Sequence, residues 1–247
     1  MRWAALALLA LALTGCETTA EKSARLERAA KGQEAAAKSR EAAAQRALAL
    51  GPPSRRVSVV AATLIHTPTA TAAVLELRNS SSQAVGDVPV AITVRDARGG
   101  ILYSNRTTGQ TPALLSAALL PPHSETVWID DQVQAQGVPQ SVRGEVGEGR
   151  TVSGAIPSLS VEGVKQSEES ETEHAAEGSV VNHSADAESE VVVDAYVRRS
   201  GRIVAAGRAV VPQLPASTST RFQLFFVGDP RGGQLHVSVL PAVPGSG

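Results

Sequence analysis

The residues best suited to chemistry are a single cysteine, Cys16, and five histidines spread along the chain. The histidines are His66, His123, His174, His183 and His236. No two of them have the H-x-H or H-x-x-x-H spacing of a metal site, and no second cysteine is present to complete one. The thiol of Cys16 therefore stands alone, and its chemistry must be read from the residues around it.

A short cationic start and an apolar run precede Cys16. Arg2 supplies the charge, and residues 3–13 are all alanine, leucine or tryptophan. This run is too short for a membrane-spanning helix, which needs about 20 residues. A charged start, a short apolar core and small residues behind it are typical of a signal peptide. The run ends in LTGC at residues 13–16, which resembles the lipobox of bacterial lipoproteins: an aliphatic residue, a small one, Gly or Ala, and then Cys.

The lipobox resemblance implies a processing site and an anchor. Residues 1–15 would be the signal peptide, cut between Gly15 and Cys16, and the thiol of Cys16 would carry palmitate-type acyl chains into the lipid bilayer. The mature chain would be held on the extracytoplasmic face of the cell membrane or the outer membrane. Glu17 stands where an inner-membrane retention signal has Asp, which favours the outer membrane if the bacterium has two membranes; their number stays open. The alternatives are an ordinary secretory signal cut near Thr14, which would leave a spare cysteine, and a buried cytosolic cysteine.

Residues 16–54 have the composition of a helical spacer. Their middle, EAAAKSREAAAQ at 34–45, combines good helix formers, and Glu34 and Lys38 stand in the favourable i,i+4 order. Pro52 and Pro53 end the pattern. No leucine or isoleucine repeats at heptad spacing, so we expect an Ala-rich α-helical stalk and no strong coiled coil. Weak self-association through alanine faces stays open.

From residue 55 onward, short runs rich in Val, Ile and Thr alternate with Gly, Pro, Asn and Ser, which predicts strands. The first series of predicted strands is 57–64, 74–79, 88–96, 101–105, 126–130 and 141–146. The second series is 159–164, 176–182, 190–199, 203–211, 218–227 and 234–240. Residues 114–120 fit either a strand or a helical turn. We therefore predict a mainly β body with one domain at 55–150 and another, with a short tail, at 151–247.

The two series resemble each other, which indicates an internal repeat. Asn79 and Asn182 each end a predicted strand, lie 103 residues apart and are followed by serine and a polar turn. Further on, a proline-led turn is followed by Trp128 in the first series and by Phe222 in the second. A repeat of about 100 residues is the usual size of an immunoglobulin-type sandwich.

This arrangement is similar to the FxLYD-like group, small bacterial extracellular domains of immunoglobulin or fibronectin type. In that group an N-x-S motif precedes a Val-rich strand, and a hairpin with an x-D-x-x-G pattern follows. Asp96 and Gly99 fit the hairpin in the first series, whereas the second series lacks the aspartate. The glycine that follows the proline in the group is absent from both series. The resemblance implies two tandem immunoglobulin- or fibronectin-like β-sandwiches after the stalk, with no catalytic residues.

Two acidic features are candidate sites. The acidic run at 168–173 could offer carboxylate oxygens to Ca²⁺, but it lacks the spacing of an EF-hand, and a solvated linker edge is the alternative. Asp130 and Asp131, just after Trp128, form either a turn or a ligand pair. No G-x-S-x-G and no phosphate-binding loop occurs. We therefore assign no catalytic residue, no metal ligand and no cofactor.

The charge balance narrows the choice of partners. The chain has 23 Lys and Arg residues and 24 Asp and Glu residues, so its charges are nearly balanced. Since no basic patch carries interleaved aromatic residues either, nucleic acid is not an expected partner. The sequence predicts a membrane-anchored extracytoplasmic lipoprotein, not an enzyme, that acts as a protein-binding or scaffolding module of the cell envelope. Its partner would be another envelope protein. The alternatives are a structural envelope-assembly subunit that self-associates through the N-terminal helix and, less favoured, a solute-binding or hydrolytic lipoprotein.

Overall fold

The computed structural model describes residues 50–107, 110–168 and 174–241. The predicted signal peptide and most of the predicted stalk, residues 1–49, lie outside the described residues, as do 169–173 of the acidic run. Among the described residues no helix is long and apolar enough to cross a membrane.

The described chain is mainly β, as the sequence predicted. Eight strands make up what we call the first half: β1 Val57–His66, β2 Thr71–Asn79, β3 Val85–Arg95, β4 Ile101–Ser104, β5 Ser116–Leu120, β6 Glu125–Asp130, β7 Ser141–Val146 and β8 Arg150–Thr151. Seven strands make up the second half: β9 Leu159–Glu168, β10 His174–Asn182, β11 Glu188–Arg199, β12 Arg202–Leu214, β13 Ser219–Phe225, β14 Val227–Gly228 and β15 Gln234–Leu240. The ambiguous stretch 114–120 contains the end of a short 3₁₀ turn, Pro112–Leu114, and then β5.

The strands pair only in antiparallel fashion within the described residues, and each half contributes two groups of strands. In the first half, β1, β2 and β6 form one sheet, and β3 lies at the centre of the other, where it pairs with β4, β5, β7 and β8. In the second half, one sheet has the order β13-β10-β9 and the other has the order β14-β12-β11-β15. Each half encloses its own cluster of buried apolar side chains between its two groups of strands.

A third apolar cluster, which we call the central layer, joins the two halves. The first half contributes Ile65, Ala72, Val74, Val127 and Ile129, and the second half contributes Ile203, Ala206 and Val227. These residues come from the sheet β1-β2-β6 and from the sheet β14-β12-β11-β15. The two sheets therefore pack face to face, and together they bury a continuous apolar surface, which is the main favourable term in folding.

Strand β2 shows the effect of this stacking on the sequence. Its residues alternate between two buried faces: Leu75 and Leu77 enter the core of the first half, whereas Ala72 and Val74 enter the central layer. A strand with one face in water would alternate between apolar and polar residues, but the run TAAVL is almost continuously apolar. The nearly continuous apolar sequence of β2 thus reflects the burial of both faces of this strand.

Asn79 fixes a corner of the first half. Its side chain is fully buried at the end of β2, and its amide nitrogen donates to the carbonyl oxygens of Gln83 (2.8 Å), Leu120 (3.1 Å) and Pro121 (2.9 Å). Its side-chain oxygen accepts from the backbone nitrogen of Ser81 at 3.0 Å. One asparagine therefore ties the end of β2 to its own turn and to the end of β5.

Asn182 repeats this pattern in the second half. Its amide nitrogen donates to the carbonyl oxygens of Asp186 (2.8 Å), Leu214 (3.3 Å) and Pro215 (3.3 Å), and its side-chain oxygen accepts from the backbone nitrogen of Ser184 at 2.8 Å. Asn79 and Asn182, which occupy equivalent positions in the internal repeat of the sequence, thus have equivalent hydrogen-bond partners. The reason is physical: where a buried strand end meets another strand, several carbonyl groups need donors at once, and the two N–H groups of a primary amide, one of them shared between two acceptors, can supply them.

The two halves differ at β12 of the second half and at the corresponding stretch of the first half, which contains β4 and β5. In the second half β12 runs unbroken over Arg202–Leu214, whereas in the first half β4 and β5 are separated by a loop. Asn105 bridges the interruption: its side-chain oxygen accepts from the nitrogen of Ile92 (2.8 Å), and its amide nitrogen donates to Val90 and Leu114 (2.9 Å each). Asn105 thereby ties β3 to the end of the 3₁₀ turn at Leu114.

We expect Asn79→Ala and Asn182→Ala each to lower the free energy of unfolding by about 1–3 kcal/mol, because buried carbonyl groups lose their donor. The measurement is urea unfolding at neutral pH. Gln83→Ala is the matched control, since the Gln83 side chain is exposed and only its backbone oxygen takes part. Equal stability of Asn79→Ala and the control would contradict this account.

Candidate functional site

The structure does not describe every site predicted from the sequence. Gly15 and Cys16, the predicted cleavage and lipidation site, lie outside the described residues, so that assignment stays a prediction. Residues 169–173 of the acidic run also lie outside them. Asp130 and Asp131 are described, and both belong to a group of charged side chains in the interior of the molecule.

Asp130 and Asp131 have separate roles. Asp130 is the last residue of β6 and is fully buried; its carboxylate accepts from the hydroxyl of Tyr103 (3.0 Å) and from the nitrogen of Gln132 (2.9 Å). The carboxylate of Asp131 accepts instead from the backbone nitrogen of Arg208, a residue of the second half, at 3.0 Å. Asp130 thus forms a local turn contact within the first half, as one of the two predicted alternatives had it, whereas Asp131 joins the first half to β12.

The side chain of Arg208 crosses from β12 into the first half. Its guanidinium donates to the carbonyl oxygens of Ala113 (2.7 Å) and Ile129 (3.4 Å). Its Nε atom lies 3.8 Å from a carboxylate oxygen of Asp194, and both side chains are almost wholly buried, with exposures of 5% and 1%. We call Tyr103, Asp130, Asp131, Asp194 and Arg208 the buried acidic cluster.

Asp194 occupies an unusual place in β11. Its neighbours Val193 and Ala195 point into the core of the second half, so strand alternation turns Asp194 toward the central layer, directly opposite Arg208 in the register of β11 and β12. Neither carboxylate oxygen accepts a hydrogen bond from any described residue. Burial raises the pKa of the Asp194 carboxyl to about 7, with Arg208 opposing the rise and Asp131 adding to it.

The other acids of the cluster share this electrostatic setting. Burial raises the pKa of Asp131 to about 6, while Arg208 opposes the rise. The pKa of Asp130 is also raised by burial, although the hydrogen bonds from Gln132 and Tyr103 oppose it. Burial, followed by the charge of Asp130, raises the pKa of the Tyr103 hydroxyl. Three carboxyl groups thus lie within the field of one guanidinium, and desolvation disfavours their charged forms.

A second polar group lies in the same inter-sheet region. Arg198 of β11 pairs with Glu76 of β2 at 2.5 Å, and its guanidinium lies 5.4 Å from the ring centre of Tyr196. That ring stacks on His236 of β15, with the ring centres 4.9 Å apart. This ion pair also joins the two halves, but unlike Asp194 it retains partial exposure.

The buried acidic cluster is poorly placed for catalysis. Asp194 is 1% exposed, and Asp130 and Asp131 are held by donors of the protein itself. Within the described ranges, no three His, Cys, Asp or Glu side chains are placed to hold a metal ion. The chemistry open to this cluster is proton binding and the fixing of one half against the other.

The outer face of the sheet β13-β10-β9 carries an open groove of about 520 Å³. Its polar lining lies in two cross-strand rows, Glu162-Ser179-Arg221 and Lys165-Glu177-Gln223. Gly163, Gly178 and Phe222 also line the groove, and a Cβ at Gly178 would lie 3.0 Å from the ring of Phe222. It therefore offers a charged surface of mixed sign that faces solvent.

Sequence reasoning did not single out Asp194 or Arg208. The available signal was one charge inside an apolar strand: VVVDAYV around Asp194, and AAGRAVV around Arg208. When both faces of a strand are apolar, a lone charged residue in it has to lie on a buried face. A buried charge is rarely tolerated unless it pairs with an opposite charge. Which partner it meets depends on the contact between the halves.

Comparison with known proteins places no family name on this chain. No family model and no curated protein matches it. Among solved structures, it is similar to a β-glucuronidase from glycoside hydrolase family 2 (12% identity, TM-score 0.27) and to red sea bream transglutaminase (14% identity, TM-score 0.27). The matches cover 70% and 76% of this chain, which spans only 22% and 30% of the length of those two proteins. At these TM-scores the likenesses carry no argument about fold or function.

We expect Arg208→Ala to lower the free energy of unfolding by about 3–5 kcal/mol at pH 7.5, because buried carboxylates lose their counter-charge. The loss should be smaller at pH 5, where the acids with raised pKa values are protonated. Arg106→Ala is the matched control: Arg106 forms an exposed pair with Glu145 at 2.9 Å, which should contribute about 0–1 kcal/mol. Chemical unfolding at both pH values measures the difference, and equal losses for the two variants would contradict the assignment.

Proposed function

We propose that this chain is a lipid-anchored, extracytoplasmic lipoprotein of the bacterial cell envelope whose β body is a non-catalytic protein-binding or scaffolding module. The observation that carries the proposal is LTGC at residues 13–16, placed directly after a short apolar run and containing the only cysteine of the chain. A lone thiol there forms no disulfide, and its position fits acylation at a mature N-terminus. Two acyl chains would hold the protein stably, since one chain gives only marginal binding.

We further propose that the body consists of two tandem immunoglobulin- or fibronectin-like sandwiches. The matched partners of Asn79 and Asn182 support this proposal, because two corners of the body are built by the same hydrogen bonds one repeat apart. The size of the repeat, 103 residues, agrees with that of an immunoglobulin-type domain.

The placement of the charged side chains supports a binding role over a catalytic one. The interior carboxyl groups serve the junction between the halves, and Asp194 is out of reach of a substrate. The groove on β13-β10-β9 presents Lys165 and Arg221 beside Glu162 and Glu177. Charged groups of both signs on an open surface give specificity and orientation more than affinity. The partner we infer is an envelope protein with a surface segment that carries charges of both signs.

The anchor is tested by metabolic labelling with radioactive palmitate. We expect the wild-type chain to incorporate label and to fractionate with membranes, and Cys16→Ser to lose the label and be released from them. Ser23→Ala, seven residues further on, is the control and should behave as the wild type. Label that persists in Cys16→Ser, or an intact unlabelled wild-type chain among cytosolic proteins, would refute the anchor.

The binding surface is tested by photo-crosslinking in intact cells, with a photoreactive residue in place of Ser179 at the centre of the groove. We expect a discrete protein adduct that disappears when Lys165→Glu and Arg221→Glu are combined. Arg98→Glu, an exposed hairpin change in the first half, should leave the adduct intact. An adduct that persists in the variant with both groove substitutions would show that the groove is not the binding surface.

The alternative of self-association is separated by light scattering on residues 17–247 and on residues 55–247. Monomers in both samples agree with the proposed binding module. Oligomers that are present in the longer chain and absent from the shorter one would favour a structural subunit that assembles through residues 16–54.

A further inference from the structure

The buried acidic cluster has an excess of acids over bases. Asp130, Asp131 and Asp194 all feel the charge of Arg208. If all three carboxyls were ionised, the cluster would bury net negative charge at the boundary between the halves. Charges removed from water must be paired or neutralised, because their desolvation costs several kcal/mol per ion.

Among the described residues, Arg208 is the only cation recorded beside Asp194. Arg198, on the same strand, is already paired with Glu76. From β15, His236 stacks on Tyr196, and its Nε2 atom is buried without a hydrogen-bond partner among the described residues. Arg208 of β12 and Asp131 act on Asp194 directly. The other charged and titratable groups of the packed elements are Asp130 with its partner Tyr103 of β4, His236 of β15, and the pair Glu76 and Arg198.

We propose that the buried acidic cluster is a proton-binding site that couples the packing of the two halves to pH. With a proton on Asp194, the carboxylate of Asp131 alone balances Arg208 at this pair. When that proton leaves, two carboxylates compete for one guanidinium, and the junction between β6 and β12 is weakened. The change is acid-base chemistry alone: a carboxylic acid loses a proton to water and becomes a carboxylate.

The sign of the effect follows from the raised pKa values. An aspartate in the unfolded chain has a pKa of about 3.9, whereas those of Asp131 and Asp194 in the folded chain are raised to about 6 and about 7. The folded state therefore binds more protons between these limits, and the stabilisation from proton binding, complete below about pH 4, is lost as the pH rises to about 7. The junction is firmest in mild acid and looser at neutral pH.

The first experiment is a titration of the full chain in mild detergent, labelled with ¹³C at aspartate carboxyl carbons. We expect Asp131 and Asp194 to titrate as a coupled pair near neutrality. In Asp194→Asn the midpoint of Asp131 should fall, because Arg208 then serves one fewer acid. Asp186→Asn is the matched control and should leave Asp131 unchanged. Titration of both acids below pH 5, or an unmoved Asp131 midpoint in Asp194→Asn, would overturn the proposal.

The second experiment reads the junction itself by native-state hydrogen exchange. The amide of Arg208 donates to Asp131, whereas the amide of Asn182 bonds to Thr218 within the second half and serves as an internal control. After correction for intrinsic exchange, we expect the protection of the Arg208 amide to fall about fortyfold between pH 5 and 6, because opening of the junction exposes both acids, with the Asn182 amide changing less.

Two variants keep this result decisive. Asp194→Asn should reduce the pH dependence at Arg208. His236→Asn should leave it in place, which separates the carboxyl pair from the nearby imidazole. Protection at Arg208 that is independent of pH, or pH dependence that vanishes only in His236→Asn, would exclude the acid pair as the proton site. If Asp194→Asn does not fold, Asp131→Asn provides the same comparison, with the midpoint of Asp194 as the readout.

Discussion

The contact between one sheet of each half is the constraint on which the rest of the structure depends. Because β1-β2-β6 packs against β14-β12-β11-β15, strands β2 and β6 need apolar side chains on both faces, and Val74 and Ile129 are as fully buried as Leu75 and Trp128. The same contact removes those two sheet faces from solvent. What the body presents outward is therefore set by this packing, including the groove face of β13-β10-β9.

Burying the charged groups in that contact costs free energy, whereas burying the apolar groups is favourable. The charged groups nevertheless make the alignment of the two sheets specific. An apolar layer alone permits two sheets to slide, whereas Arg208 reaches the carbonyl oxygens of Ala113 and Ile129 only in one arrangement. Burying such groups is costly, and a hydrophobic replacement is often as stable. We interpret the cluster as a device for a defined and pH-sensitive alignment, with stability supplied mainly by the central layer.

The break between β4 and β5 explains how a repeated architecture acquires an asymmetric junction. In the second half β12 is continuous, and Arg208 lies within it. In the first half Asn105 replaces part of the strand ladder with its side-chain amide, and the 3₁₀ turn Pro112–Leu114 provides the Ala113 carbonyl that accepts from Arg208. One half thus provides the donor and the other the acceptor, which two identical repeats would not do.

The sequence by itself determined the local features: the mainly β body, the positions of most strands and the matched corners at Asn79 and Asn182. These follow from strand patterns and turn chemistry, which act over a few residues. The lipobox prediction at Cys16 also rests on local sequence, and the described residues do not test it. Only the tertiary structure decided that two sheets meet face to face, that Asp194 meets Arg208, and that Asp130 and Asp131 divide between two partners. Those contacts join residues far apart in the chain, and a lone aspartate in an apolar strand signals that a partner is needed without saying which one, because sheet packing alone selects it.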